Sequence, residues 1–324
     1  MPDAKTQDKA IVLITFNRAE CLSLTLDSLI QATSFIDHSI YVVHQIGDTK
    51  IKSLLDSKLR EFVYLPTAYP DSTSTKEKIN RNMFLGLSSA FDDLNIKHVV
   101  IVEEDICVAP DFLDFCETII NQEGRNDKFR AVSGFSSINP SRFDRLQQNA
   151  YVKLNYGVGW GWAISRGEFD ALRRIWNGTE DAHWDAIAEV YFRTGYVVNP
   201  VLSRTVNIGF GTGASHTTSK NDMLPELMMR SFLPNLCNCK DLARSYFASR
   251  SFFSWRKDCI NLSQIFYLKK KFLFLITKIS YLNYRVGTLK YFKETSLVRR
   301  IINFNLRFSR QVLIRFFGEY GREI

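Results

Sequence analysis

The sequence has little of what a zinc site or a disulfide framework requires. Six cysteines are scattered over 324 residues, and no two of them form a Cys-x-x-Cys pair. They are Cys21, Cys107, Cys116, Cys237, Cys239 and Cys259. This spacing disfavours a structural zinc site, and we expect reduced thiols in a cytosolic protein rather than disulfides.

Long apolar runs are also missing. No stretch approaches the ~20 consecutive apolar residues needed to cross a bilayer, and residues 1–9 lack the apolar core of a signal peptide. We therefore expect a cytoplasmic protein without a membrane-spanning anchor. Neither a Gly-x-Gly-x-x-Gly turn nor a P-loop lysine follows the first predicted strand, which disfavours a dehydrogenase and a P-loop NTPase.

The composition is that of a globular protein, with 45% hydrophobic and 23% charged residues. The net charge of +8 is divided unevenly along the chain. Residues 240–324 hold 18 of the 42 Lys and Arg and 5 of the 34 Asp and Glu, a balance of +13 that leaves −5 for residues 1–239. We therefore predict two regions, a mildly acidic catalytic or binding domain at 1–239 and a basic region at 240–324.

Short β-branched runs alternate with segments of helical apolar spacing in residues 1–239. The runs predict strands at 11–16, 39–45, 61–65, 99–102 and 129–134. The helical spacing predicts helices at 22–30, 75–93, 110–121, 166–176 and 183–194, followed by an extended connector at 195–200. This alternation predicts an α/β fold with a mostly parallel sheet flanked by helices.

Three carboxylates follow the most apolar of these strands, 99–102, as Glu103, Glu104 and Asp105. Open α/β sheets bind ligands at the carboxyl ends of their strands. Crowded carboxylates repel one another, so their natural partner is a hard divalent cation such as Mn²⁺ or Mg²⁺. A cation at this position can neutralise a diphosphate, which points to a nucleotide-sugar donor. The alternative is an acidic loop that merely follows a core strand.

Three later segments also carry candidate chemistry. Residues 156–164 are dense in Gly and Trp, so that indole faces could serve as sugar platforms, although a large core aromatic is the commoner role. Asp185 opens a predicted helix, where it could act as a general base or simply cap the helix. Residues 209–219 form a Gly/Ser/Thr loop of the kind that closes over phosphates.

Four blocks in this order resemble the GT-A glycosyltransferases, and within them family 13, the family of N-acetylglucosaminyltransferase I. The blocks are Ile14-Thr-Phe-Asn-Arg18, the acidic stretch 100–112, Gly159-Trp160, and Trp184-Asp185 with Ser203-Arg-Thr205 and Gly213-Ala-Ser-His216 downstream. The resemblance covers roughly residues 10 to 220. It implies a GT-A fold, a divalent cation and a UDP-sugar donor.

The resemblance also implies roles on the donor side of the site. Asp105 matches the aspartate that ligates Mn²⁺, and Glu103 matches a glutamate near the donor sugar. Glu104 stands where the family has an aspartate that holds the ribose. Arg18 matches a residue at the uracil end, and Asp48 lies near the family's uracil-reading aspartate.

On the acceptor side, the resemblance makes Asp185 the general base and places Ser215 and His216 in a loop that orders over the donor diphosphate. One base opposite the leaving group implies a single displacement with inversion of configuration. UDP-GlcNAc is the first choice of donor by resemblance alone. A catalytically silent GT-A-like binding or scaffold protein is the alternative, and a nucleotidyltransferase is disfavoured because its Gly-rich, lysine-containing opening is missing.

The basic region 240–324 holds 18 of the 43 aromatic residues, interleaved with Lys and Arg. This pattern suits helices that lie in an anionic membrane interface. A helical subdomain packed on the body would also account for the aromatics. Nucleic-acid binding is disfavoured because no RNP-like or zinc-finger signature is present. We expect a peripheral protein on the inner face of the membrane, acting on a glycan or lipid-linked acceptor in bacterial surface-polysaccharide assembly.

Overall fold

A computed structural model describes residues 7–47, 49–136, 151–155, 157, 159–180, 183–200 and 203–209. The predictions made for Asp48, Ser215, His216 and the basic region 240–324 lie outside these residues, as does the boundary at 239. The strands are β1 (Lys9–Thr15), β2 (Ser39–Gln45), β3 (Val63–Thr67), β4 (His98–Glu103), β5 (Ile106–Val108), β6 (Phe129–Ser133), β7 (Tyr151–Leu154), β8 (Trp162–Ser165), β9 (Tyr196–Pro200) and β10 (Thr205–Asn207). The helices are α1 (Ala19–Ile30), α2 (Thr49–Lys58), α3 (Thr75–Asp92), α4 (Phe112–Glu123), α5 (Arg166–Leu172) and α6 (Trp184–Phe192).

Eight strands form one sheet in the order β3-β2-β1-β4-β8-β6-β9-β7. β8 and β7 run antiparallel to their neighbours, and the other strands share one direction. A second sheet consists of β5 and β10, paired antiparallel. The predicted α/β fold with a mostly parallel sheet flanked by helices is therefore confirmed. Because β1, β2 and β4 are parallel neighbours, their carboxyl ends lie at the same end of the sheet, and β5 follows β4 there.

The apolar run of β4 is buried on both faces of the sheet, as its β-branched residues predicted. Val100 and Val102 belong to a core cluster that also contains side chains of α1, α2 and α4. Val99 and Ile101 belong to a second cluster, with side chains of α3, α5 and α6. Alternate residues of one strand thus serve opposite faces, which is the packing expected of a parallel sheet covered by helices.

Local predictions differ from the structure in several places: β5, β7, β8 and β10 were not predicted, and the helix predicted at 166–176 is the shorter α5, Arg166–Leu172. The strand predicted to close before Pro66 continues through it to Thr67, which edge strands tolerate because only one side of them is paired. The helix α2 was not predicted, since its apolar contribution to the core is only Ile51 and Leu55. Residues 195–200, predicted as a connector, contain β9, a buried strand between β6 and β7.

Within the described part of the chain, no helix is both long and apolar enough to span a bilayer. Cys21, Cys107 and Cys116 are buried and are not joined in disulfides, as predicted for these three positions. Burial raises the pKa of the Cys107 thiol to about 12, which keeps it protonated.

Two buried histidines lie at the end of β4 opposite the carboxylates. The ring centroids of His38 and His98 are 6.4 Å apart in an edge-to-face arrangement. His38 Nδ1 lies 2.8 Å from the carbonyl oxygen of Ser34, so it carries the hydrogen and donates. The Nε2 atoms of both rings have no hydrogen-bond partner among the described residues. Burial lowers the pKa of His98 to about 4, and the neighbouring His38 contributes to that shift.

We predict that His98 makes the protein less stable in mild acid. In the unfolded chain His98 has an ordinary pKa of about 6.5, whereas its pKa in the folded chain is lowered, so below about pH 6.5 the unfolded chain binds a proton that the folded chain does not. Proton binding then favours the unfolded state, and the free energy of unfolding falls as the pH drops. Between pH 7 and pH 5 this loss is about 2 kcal/mol. Because other groups titrate in the same range, the quantity to measure is the difference in urea unfolding free energy between wild type and His98→Leu at each pH. A difference that stays constant from pH 7 to pH 5 would contradict the prediction.

Candidate functional site

The three predicted carboxylates lie where β4 leaves the sheet. Glu103 is the last residue of β4, and Glu104 and Asp105 form the turn that leads into β5. The main chain of this turn is held from both sides: Glu104 N donates to the Ile14 carbonyl at 2.9 Å, and Ile208 N donates to the Asp105 carbonyl at 2.8 Å. The carboxylates therefore sit on backbone anchored by β1 and by the segment after β10.

Glu104 is buried and its carboxylate is fully engaged within the protein. Oε2 accepts a hydrogen bond from the Phe16 backbone N–H at 2.7 Å, and Oε1 accepts one from Arg18 Nε at 2.8 Å. The hydroxyl of Thr25 donates to the Glu104 carbonyl at 2.8 Å. Glu104 thus joins the carboxyl end of β1 to the start of α1. In this structure Glu104 holds Arg18 in place. Either of its carboxylate oxygens, if it contacted a ribose, would already accept a hydrogen bond from the protein.

Arg18 bridges the carboxylates. Its Nη1 lies 2.9 Å from Asp105 Oδ2 and donates to the Gly209 carbonyl at 3.3 Å, while its Nε holds Glu104. Burial acts to lower the pKa of Arg18, but the charges of Asp105 and Glu104 outweigh it and the pKa is raised. The guanidinium is therefore a permanent positive charge at the centre of the cluster.

One arginine does not neutralise this cluster. Burial raises the pKa of Glu103 to about 8, with Asp105 and Asp185 adding to the rise and Arg18 opposing it. Burial likewise raises the pKa of Asp105, against the opposing effect of Arg18. The raised pKa of both carboxyl groups means that burial and neighbouring negative charge disfavour their ionised forms, and a bound cation would stabilise those ionised forms. The influence of Asp185 on Glu103 also shows that the start of α6 belongs to the same site.

The carboxylates suit a divalent cation that is shared with a substrate. Among the residues that the structure describes, no group of three His, Cys, Asp or Glu side chains forms a complete metal-binding set. Mg²⁺ and similar ions are commonly held by one or two carboxylates, with substrate phosphates and waters as the other ligands. Asp105, a buried oxygen donor whose present partner is Arg18, fits the single-carboxylate role that the resemblance implies.

Asp185 lies in the first turn of α6 and does not cap it. The residue at the N-cap is His183, whose side chain makes no capping hydrogen bond. Its Nδ1 lies instead 2.8 Å from Asp185 Oδ1. The side chain of Asp185 is 41% exposed, so the carboxylate is accessible to a substrate. The capping alternative is therefore wrong, and His183 is a site residue that sequence reasoning did not single out.

Trp184 anchors this helix start in the core. Its indole stacks on Trp162, with ring centroids 5.1 Å apart and planes 7° from parallel. Both rings are buried. A Cβ at Gly159 would lie 2.5 Å from the Trp184 ring, so the absence of a side chain there makes room for it. Trp162 is therefore a core aromatic, which corrects the alternative that it serves as a sugar platform.

The Ser-Arg-Thr block has a structural role. Arg204 is 1% exposed, its Nε donates to Asp111 Oδ2 at 3.3 Å, and its guanidinium lies over the ring of Phe115. Its backbone carbonyl accepts from Ala109 N, and its own N–H donates to the Gly134 carbonyl. Arg204 thereby joins β10 to the start of α4 and to the end of β6. The role of Arg204 is not evident from the sequence, because its partner Asp111 lies 93 residues away.

Gly209 brings the chain back against the carboxylates. A Cβ at this position would overlap both Asp105 Oδ2 and Arg18 Nη1, and its N–H donates to Asn207 Oδ1 at 2.7 Å. The antiparallel pairing of β10 with β5 sets this approach. The loop predicted to close over phosphates thus starts in direct contact with the site, although its residues from 210 onward lie outside the described part.

The structure brings five of the eight predicted site residues together. They are Arg18, Glu103, Glu104, Asp105 and, through its electrostatic influence on Glu103, Asp185. The positions of Asp48, Ser215 and His216 are not among the described residues. Arg18 contacts the carboxylates of Glu104 and Asp105 and the Gly209 carbonyl. Its place at the uracil end of the donor stays a prediction.

Comparison with known proteins decides the family. A model of the GNT-I family matches residues 3–247, about three quarters of the chain. The chain belongs to the GNT-I family. The resemblance noted in the sequence is thereby confirmed, and the acidic turn, Arg18 and the start of α6 all lie inside the matched range.

Individual relatives are more distant. An Arabidopsis thaliana protein named alpha-1,3-mannosyl-glycoprotein 2-beta-N-acetylglucosaminyltransferase is 24% identical over 209 residues, 62% of this chain and 47% of that protein. The chain thus spans about half the length of this relative. Among solved structures, the mannosyltransferase PcManGT from Pyrobaculum calidifontis, in complex with GDP-Man and Mn²⁺, is 14% identical with a TM-score of 0.44, over 74% of this chain and 69% of that one.

We predict that Gly209→Ala damages the site. The added methyl must displace Asp105 or Arg18, and overpacking of this kind costs typically about 1–3 kcal/mol. Gly167→Ala is the matched control, because a Cβ at Gly167 in α5 meets nothing within 4 Å and alanine favours the helix. We expect a lower midpoint of thermal unfolding for Gly209→Ala and an equal or higher one for Gly167→Ala. Equal midpoints for the two variants would show that the approach of Gly209 to the carboxylates is not constrained.

Proposed function

We propose that this member of the GNT-I family transfers a sugar from a UDP-sugar to a hydroxyl group of a glycan or lipid-linked acceptor, with inversion at the anomeric carbon. GlcNAc is the first choice of sugar, supported by family membership and by the activity for which the Arabidopsis relative is named. The observation that carries the proposal is the cluster of Glu104 and Asp105 on Arg18 directly after Glu103, with the exposed carboxylate of Asp185 close enough to Glu103 to raise its pKa. A donor phosphate and an acceptor hydroxyl each find a carboxylate there.

The proposed reaction is a single displacement. The acceptor oxygen forms a bond to the anomeric carbon while its proton passes to the carboxylate of Asp185. The bond between the anomeric carbon and the phosphate oxygen breaks, and its electron pair leaves with UDP. One exposed carboxylate at the start of α6 is sufficient for the proton, and no covalent enzyme intermediate is required.

The donor diphosphate needs positive charge near it. Asp105 would hold a divalent cation, and such a cation would stabilise the negative charge that grows on the departing UDP. Arg18 holds Asp105 and Glu104 in place from the opposite side. Gly209, against these residues, is the last described position before the loop that contains Ser215 and His216, so donors from that loop would start next to the diphosphate.

We propose a peripheral location at the membrane surface. The support is the +13 balance and the aromatic content of residues 240–324. Each Lys or Arg close to an anionic leaflet contributes about 1 kcal/mol of attraction. A lipid-linked acceptor on the inner face of a bacterial membrane would then be near the active site, in keeping with a role in surface-polysaccharide assembly.

The direct test is UDP release from a panel of UDP-sugars in the presence of acceptor lipid extract, with Mn²⁺, Mg²⁺ or EDTA. We expect UDP release with Mn²⁺ or Mg²⁺, its loss in EDTA, and its loss in Asp105→Ala, because Asp105 is the carboxylate that would bind the cation. Asp170→Ala, an exposed carboxylate on α5, is the control and should behave as wild type. Full UDP release in EDTA or in Asp105→Ala would contradict the metal role. No UDP release from any donor would favour the silent scaffold.

A second prediction concerns the base. Asp185→Asn should retain UDP-sugar binding and lower kcat at least ~100-fold, as expected for the loss of a general base. The amide oxygen can still accept the hydrogen bond from His183, so the start of α6 should be preserved. Titration calorimetry with the UDP-sugar separates binding from turnover. A variant that loses thermal stability while each folded molecule keeps its normal kcat would show that Asp185 supports the helix and not the reaction.

A further inference from the structure

We infer that His183 is the positioning residue for Asp185: it donates a hydrogen bond to one carboxylate oxygen and thereby fixes the orientation of the base. This inference rests on the proposed function, because it assigns His183 a part in the same proton transfer. It gives a role to a side chain that neither the sequence motifs nor the family resemblance assigned.

The direction of the hydrogen bond follows from chemistry. His183 Nδ1 lies 2.8 Å from Asp185 Oδ1, a normal hydrogen-bond length. An ionised carboxylate has acceptors and no donor, so the hydrogen must be on Nδ1. His183 therefore binds the charged form of Asp185, the form that a general base needs before it takes the acceptor proton.

The side chain of His183 does not serve the helix. An N-cap residue usually stabilises a helix through a side-chain oxygen that accepts from a backbone N–H of the first turn, which is why Ser, Thr, Asp and Asn are preferred there. His183 has the extended backbone of an N-cap, with φ −71° and ψ 137°, but makes no side-chain capping bond. Its ring donates to a carboxylate in the helix instead. A purely structural need at this position would be met better by a smaller polar residue.

Asp185 needs such a partner because of its exposure. A side chain that is 41% exposed samples several rotamers unless a contact selects one of them. A base must be in line with the hydroxyl it deprotonates, and a nearby third group commonly provides that orientation. The ring of His183, whose side chain is 24% exposed, is the better-fixed member of the pair.

The frame that carries both side chains is rigid. Trp184 lies between them in the sequence, is 3% exposed and stacks on Trp162. The side chains of His183 and Asp185, on either side of Trp184, therefore project from a main-chain turn whose position is fixed. The hydrogen bond between His183 and Asp185 therefore acts on their side-chain rotamers and not on the main chain.

The test compares His183→Ser with His183→Asn. Both replacements are good N-caps, so neither should destabilise α6. Only asparagine carries an N–H group at the position of the histidine Nδ1. We expect kcat to fall roughly 10- to 100-fold in His183→Ser with the KM for the UDP-sugar unchanged, and to stay within about threefold of wild type in His183→Asn. An unchanged kcat in His183→Ser, or equal losses of kcat in both variants, would overturn the inference.

Two controls separate positioning from folding. Arg193→Ala removes an ion pair with Glu189 at the far end of α6 and should leave kcat unchanged. In an Asp185→Asn background, His183→Ser should cause no further loss of kcat, because the two residues act as a unit. A further loss there would mean that His183 acts independently of Asp185 and would overturn the positioning role.

A measurement without turnover distinguishes failure of the inference from failure of the proposed function. In protein with ¹⁵N-labelled histidine, the His183 ring should be the Nδ1–H tautomer in wild type and should lose that preference in Asp185→Ala. Finding Nε2–H in an active wild type would overturn the inference alone. A wild type that shows the Nδ1–H tautomer but releases no UDP from any donor would overturn the proposed function, and the positioning role with it.

Discussion

The contact of Arg18 with Glu104 and Asp105 is the interaction on which the site depends. Two buried carboxylates adjacent in sequence would repel each other strongly without a cation, and removing one partner of such a buried pair typically costs about 3–5 kcal/mol. Arg18 stands at the start of α1, so its ion pairs connect the end of β1 with the turn after β4. Its bond to the Gly209 carbonyl adds a third segment, from almost 200 residues further along the chain. The arginine is therefore both charge balance and scaffold.

The remaining parts of the site are held around this contact by two interactions between buried side chains. The stack of Trp184 on Trp162 holds the start of α6, and the buried pair of Arg204 and Asp111 holds β10 beside β5. Neither interaction has to touch a substrate to matter, because the first holds the start of α6, with Asp185, and the second holds β10, which leads to Gly209. This division explains why conspicuous motif residues such as Trp184 and Arg204 are almost entirely buried.

At Glu104 and His183 the site has features that the resemblance to the GNT-I family does not account for. The resemblance places an aspartate where this chain has Glu104, and the longer side chain reaches both the Phe16 N–H and Arg18 Nε. Its carboxylate is used inside the protein. At the other side of the site, His183 donates a hydrogen bond to the exposed carboxylate of Asp185. Both features affect how side chains of the site are held in place, and neither changes which carboxylates are present.

The sequence by itself determined the α/β alternation, the strand that leads to Glu103 and the list of carboxylates, because burial of β-branched runs and helical spacing are local signals. It did not reveal β9, since Tyr196–Pro200 is a strand only when β6 and β7 pair with it on either side. Only the tertiary structure decided that Arg18 joins Glu104 to Asp105, that Trp162 is core, and that His183 faces Asp185. The first two depend on contacts between residues distant in sequence. The third depends on where α6 begins, because His183 is the N-cap and the helix starts at Trp184.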